Sequence, residues 1–275
     1  MKSRALVFAS YGSSRESGRT DDIAPVATEL AAAFPEVAFR ESYTSRPVRQ
    51  ALERQGIACP AGLSEVLEGL ADEGVAGVAV QPGLVVAGTS MEALLEDAHA
   101  LAGRFPEGVA IGRPLLSSQE DIEEVAAALD HAWPARPGHA LVLVGHGSGI
   151  SSANLPYLAL RDVLHGRGRG DVVLGLLEGE PGIDAVAEGL VRRKAKSATL
   201  VPLMLAAGVH AARQLAGDST ESWSSRLREE GLEATCSLSG LGSLAEIRSL
   251  YRMHAQAALQ ALPSKDAARA VSIRK

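Results

Sequence analysis

Residues 68–88, EGLADEGVAGVAVQPGLVVAG, align without a gap on residues 188–208, EGLVRRKAKSATLVPLMLAAG, at a constant offset of 120. Six of the 21 pairs are identical: Glu68/Glu188, Gly69/Gly189, Leu70/Leu190, Pro82/Pro202, Ala87/Ala207 and Gly88/Gly208. Each copy reads as an amphipathic helix feeding an apolar strand that ends in a proline-bearing segment and a glycine. A second correspondence sets ALVFASYGSS (5–14) against ALVLVGHGSG (140–149), at an offset of 135. Offsets this long exclude a solenoid, so the chain reads as two βα halves of related design.

The same alternation runs outward from these segments. Apolar runs at 5–10, 37–42, 75–81, 140–145, 172–177 and 198–204 read as strands, and 21–34, 63–74, 119–133 and 183–194 carry helical periodicity. Near-continuous apolar strands alternating with helices predict an α/β fold, each half with a central parallel sheet flanked by helices and a cleft between the halves. Two prolines and a glycine in WPARPGH (133–139) mark the linker, giving an N-terminal half at 1–134 and a C-terminal half at 135–275. HGRGRG (165–170) reads as a flexible connection, and KDAARAVSIRK (265–275) as a solvated tail.

Composition narrows the function. With 275 residues, 46% hydrophobic and 22% charged, the chain can bury a sizeable core. A formal charge of −6 argues against a nucleic-acid binder with a basic surface. Cys59 and Cys236 belong to no close-spaced set, so neither a disulfide framework nor a cysteine zinc site is expected. No apolar run is long enough for a signal peptide or a membrane span, and a cytoplasmic protein is expected.

Ligands of parallel sheets bind beyond the carboxyl ends of the strands, and there the two halves differ. His146 in GHGS stands where the first half has Tyr11, and His210 in AAGVH stands where the first half has Ser90. Glu178 follows the strand VVLGLL, with Thr44 as a weaker counterpart. Two histidines and a carboxylate at three strand ends form a set suited to a divalent transition metal. The intervals 146 to 178 and 178 to 210 are each 32 residues, so only the fold can bring the three together. A lone histidine after a strand is more often structural than a ligand; the flanking glycines of GHGS, which allow a tight turn, favour the ligand reading. The sequence holds neither G-x-S-x-G around Ser148, nor GxGxxG after the first strand, nor GxxxxGK[ST], so no nucleophile elbow or nucleotide loop is expected.

The stretches FPEVAFRESYTSRPVRQAL, EGLADEGVAGVAVQP, LVGHGS, LLEGEPGIDAV, LVPLMLAAGVHAARQLAGDSTESWSSRL and SGLG with IRSLYRMHAQAAL resemble, in order, the anaerobic-pathway sirohydrochlorin cobaltochelatases. These belong to the chelatase superfamily that also contains the ferrochelatases. The resemblance implies insertion of Co2+ into the tetrapyrrole sirohydrochlorin without a nucleotide, and places the family's metal-site residues on His146, Glu178 and His210. His146 is then both ligand and proton acceptor, since neutral imidazole can serve in either role. The substrate's eight carboxylates call for a positive rim in an acidic protein. Arg15, Arg46 and Arg213 are candidates, while Tyr11 and Ser90 face the substrate from the metal-free half. Relatives of this class often assemble, so a homo-oligomer is within expectation; a membrane or nucleic-acid partner is not.

The chain departs from many relatives in carrying Gly149, Ile150, Ser151 and Ser152 where further histidines follow the GHG turn, and Val209 where an aspartate precedes the later histidine. Leu84 and Val85 occupy the region of a haem-binding histidine, so no haem is expected. Two alternatives stay open: a sirohydrochlorin chelatase for Fe2+ or Ni2+, and a non-catalytic tetrapyrrole or metal-binding protein.

Overall fold

The first strand, β1 (Arg4–Ser10), shows why the apolar runs lack polar alternation: both its faces are covered. Ala5, Val7 and Ala9 pack with Leu63, Leu67 and Leu70, while Leu6 and Phe8 join Ile23, Val26 and Leu30. The structure is a computed structural model that describes residues 3–263; the predicted tail at 265–275 lies outside the described residues.

After β1 come a π-helical turn (Gly18–Ile23), α1 (Ala24–Ala33), β2 (Ala38–Tyr43), α2 (Arg46–Arg54), α3 (Leu63–Asp72), β3 (Gly77–Pro82), α4 (Thr89–Leu101), β4 (Val109–Ile111) and α5 (Gln119–Ala132). The second series is β5 (His139–Gly147), α6 (Leu155–Gly166), β6 (Val172–Glu178), α7 (Ile183–Arg192), β7 (Ser197–Leu203), α8 (Val209–Ala216), α9 (Trp223–Glu229), β8 (Glu233–Cys236) and α10 (Ala245–Ala261). All pairings are parallel, in the orders β2-β1-β3-β4 and β6-β5-β7-β8, so the second sheet repeats the first strand for strand. The two similar halves expected from the internal alignment are present, and α7 and β7 begin 120 residues after α3 and β3.

One face of each sheet belongs to a shared core. Leu141 and Leu143 of β5 join Tyr157, Leu160 and Leu164 in the same cluster as Leu6 and Phe8. The opposite face of β5, Ala140, Val142 and Val144, packs with Val186, Leu190, Trp223 and Leu227. The closing helix α10 returns to β3 of the first sheet. Its fully buried Tyr251 meets Phe8 edge to face, with ring centroids 6.4 Å apart, and donates its hydroxyl to the Leu84 carbonyl at 3.1 Å. Burial pushes the Tyr251 phenol far up from its ordinary value.

Two short strands, β4 and β8, were not expected; they close the edges of their sheets. The expected flexible connection at 165–170 is anchored instead. Buried Arg169 bonds Asp130 of α5 at 2.6 Å and Asp171 through two bonds of 2.8 Å, and bidentate charge pairing of this kind fixes a loop. The Arg169 guanidinium in turn holds the Asp171 carboxyl below its usual range.

At the carboxyl ends of the strands, two first-half side chains grip the second half. Asp22, only 1% exposed within the π-helical turn, accepts the Gly240 N–H at 2.9 Å, and the Ala207 N–H also favours its ionised form. Arg15 donates to the Ala207 carbonyl at 3.0 Å, to Ser17 Oγ at 2.7 Å, and reaches the Leu238 carbonyl at 3.5 Å. Burial lifts the Asp22 carboxyl from 3.8 to about 6, a rise limited by the two backbone donors and by Arg15 and helped by nearby Asp21. Between these values the folded chain binds more protons at this site than the unfolded chain, so its contribution to stability falls as pH rises. Asp22→Asn removes this titration. The melting temperature of the variant should therefore gain on that of the native chain between pH 4 and pH 7; a gap that does not move with pH contradicts the assignment.

Candidate functional site

The site begins with the fit of two strand ends. Gly147 at the end of β5 lies opposite Glu178 at the end of β6, with φ +81°. A Cβ built on Gly147 would stand 1.9 Å from the Glu178 carbonyl oxygen, so both the dihedral and the space demand glycine. Gly145 is similarly tight, since its Cβ would meet Leu176 at 2.9 Å and the Tyr157 ring at 3.0 Å. This close pairing brings His146 Nδ1 to 4.0 Å from Glu178 Oε2, with the two side chains 58% and 65% exposed. Beyond β5, buried Asn154 donates to the Ser148 carbonyl at 3.0 Å and holds the turn that leads into α6.

His210 is the second residue of α8, exposed on its first turn after Gly208. Among the described residues, no group of three His, Cys, Asp or Glu side chains is close enough to hold a metal ion. The structure thus joins His146 to Glu178 and leaves His210 outside the pair. An imidazole beside a carboxylate, both open to solvent, can share a divalent cation or pass a proton between them.

The remaining predicted residues follow the carboxyl ends of other strands. Tyr11, 53% exposed, follows β1 and precedes Gly12, whose φ of +85° and contact with the Tyr43 ring exclude a side chain. Arg46 is exposed on the first turn of α2, which Ser45 caps. Ser90 is half-buried on the first turn of α4, and Arg213 lies exposed one turn beyond His210. The guanidinium of Arg15 is turned to protein acceptors at Ala207, Leu238 and Ser17. Sequence reasoning missed Asp22, whose partners lie in the other half. Two surface pockets, one between β6 and α7 and one beside α1 and α10, include none of these residues.

The strand-end geometry predicts that Gly147→Ala will cost about 1–3 kcal/mol of folding stability from its dihedral alone, with the clash on Glu178 added to it. Denaturant unfolding measures the first effect. A Co2+ titration followed by visible absorption should show weakened binding, because the two donors are forced apart; unchanged stability and binding would contradict the fit described here.

Comparison with known proteins gives a consistent result. The sequence profile of the family described as cobalt chelatase (CbiK) matches residues 4–260. The chain is 31% identical over 258 residues to a protein named sirohydrochlorin cobaltochelatase from Salmonella typhimurium, covering 93% of this chain and 96% of that one. It is 29% identical over 267 residues to one named sirohydrochlorin cobaltochelatase CbiKC from Nitratidesulfovibrio vulgaris, covering 95% and 93%. The solved structure of SirB from Bacillus subtilis with Fe3+ superposes with a TM-score of 0.68 at 16% identity, over 93% of this chain and 95% of that one, a likeness of fold. With a family match across nearly its whole length, the chain belongs to the cobalt chelatase (CbiK) family.

Proposed function

We propose that this chain inserts Co2+ into sirohydrochlorin, without a nucleotide, in the oxygen-independent route to cobalamin. The family and the names of its relatives support this reading. The observation that carries it is the His146–Glu178 pair, 4.0 Å apart and exposed at adjacent strand ends.

Insertion exchanges two pyrrole N–H protons for one divalent cation. Co2+ enters as a substrate and must shed water, so its donors have to replace hydration without holding the ion too tightly. His146 and Glu178 supply one neutral and one anionic donor, and His210 on the first turn of α8, which stands outside that pair in the structure, is the third donor that the incoming ion would draw in. As Co2+ moves to the ring nitrogens, the His146 imidazole is freed to accept one pyrrole proton, which the exposed Glu178 carboxylate passes to water, and the same relay then takes the second. Sirohydrochlorin is a polycarboxylate, and exposed Arg46 and Arg213 supply positive charge where a protein of net charge −6 would otherwise repel it. Tyr11 offers an exposed aromatic face to the macrocycle, and Ser90 a hydroxyl, both from the half without imidazoles. No helix among the described residues is long and apolar enough to cross a membrane.

An anaerobic absorbance assay of the protein with sirohydrochlorin tests the reading, with Co2+, Fe2+ and Ni2+ in separate arms. Acceleration with Co2+ above the protein-free rate is expected, as is a loss in His146→Ala of at least about 100-fold, the scale of one general base, with sirohydrochlorin still bound. Full activity in the variant would remove His146 from the chemistry. Acceleration with Fe2+ or Ni2+ but not Co2+ would reassign the metal.

A further inference from the structure

Ala207 stands three residues before His210, and its backbone is held on both sides by the other half of the molecule. Its N–H favours the ionised form of the Asp22 carboxylate, and its carbonyl accepts from Arg15 Nη1 at 3.0 Å. The same carboxylate accepts the Gly240 N–H at 2.9 Å. The loop after β8 is tied back onto this segment, with the Leu241 N–H on the Met204 carbonyl at 2.8 Å and the Gly242 N–H on the Leu205 carbonyl at 3.0 Å. There is no slack between these backbones: a Cβ on Gly240 would lie 2.3 Å from the Leu205 carbonyl oxygen, and one on Gly242 would lie 2.1 Å from that of Asp22.

The internal repeat shows that this grip is not a general property of the fold. Ala87 and Ser90 of the first half correspond to Ala207 and His210. Among the described residues, no side chain bonds the backbone of Ala87, whereas Ala207 has an anion on its N–H and a cation on its carbonyl. The grip accompanies the imidazole. A buried carboxylate is costly unless its lone pairs are satisfied, and Asp22 directs its own to N–H groups of the two loops beside β7. Its π-helical turn, a local irregularity frequent at functional sites, is what aims it there.

We infer that Asp22 and Arg15 are positioning residues that fix the Ala207 peptide and thereby set where His210 stands for the incoming metal ion. This rests on the reading of His210 as a metal donor. Neither residue touches the ion. Outer partners that orient a metal ligand affect metal affinity by about 10- to 100-fold.

The test is Co2+ binding to the purified chain, followed by visible absorption, which needs no turnover and so can be read for every variant. Asp22→Asn keeps the volume and one acceptor but puts an amide N–H against a backbone donor. Arg15→Gln shortens the reach to the Ala207 carbonyl, and is a second arm that does not depend on Asp22→Asn folding. Each should raise the Co2+ dissociation constant about tenfold. Each should also raise KM for Co2+ in the insertion assay while leaving KM for sirohydrochlorin unchanged, a split that a merely destabilised protein would not show. In a His210→Ala background, neither should weaken Co2+ binding further. Full additivity there, or native Co2+ affinity in both single variants, overturns the inference and leaves the site reading intact. Native Co2+ affinity in His210→Ala alone overturns the site reading itself.

Discussion

The register that sets Gly147 opposite Glu178 is the constraint on which the site depends. In a parallel sheet adjacent strands end on the same side, so residues far apart in sequence are delivered together only by hydrogen bonding along the strands. Covering both faces of β6 enforces that register: Val172, Leu174 and Leu176 belong to the shared core, whereas Val173 and Leu177 face the second helix layer. A slip of one residue would exchange these sets and turn Glu178 to the wrong face. The absent Cβ of Gly147 then allows the last pair to close, and the His146 to Glu178 distance follows from that closure.

The parts legible in the sequence are those whose cause is local. β1, β3, β5, β6 and β7 read as strands because burial on both faces leaves a continuous apolar run. β4 and β8 have three and four residues at sheet edges and only half-covered faces, too little for a pattern. Arg169 sits in a glycine-rich run that looks mobile, and what pins it is Asp130, 39 residues away on α5. His146 and Glu178 could be found by comparing strand ends, since the halves share a plan and differ there. Asp22 gives no such signal, because its partners are backbone N–H groups 185 and 218 residues further along and any sequence supplies those.

Duplication makes the differences between the halves meaningful. With the same strand order on both sides, the first half shows what the scaffold needs and the second what was added to it. Glycines just past β1 and at the last position of β5, Gly12 and Gly147, serve the turn in each half. Imidazoles occur at these strand ends in the second half only, where the first half has Tyr11 and Ser90. Under the proposed function this separates the work, with metal donors and a proton acceptor in one half and contacts for the macrocycle in the other.

Asp22 connects the two sides at a cost. A carboxylate removed from water loses hydration, which is why its proton is held to about pH 6, and an apolar residue in its place would avoid the penalty. What an apolar residue cannot do is present a negative charge to N–H groups of two separate loops at once. Those amides would remain unpaired, and the Ala207 peptide would be free to rotate. Oppositely charged side chains acting on the two sides of one residue set its orientation more narrowly than packing alone, since dipoles respond to angle as well as distance. A site that must hold a metal ion loosely enough to release it gains most from such control, because accurate donor placement then substitutes for tight binding.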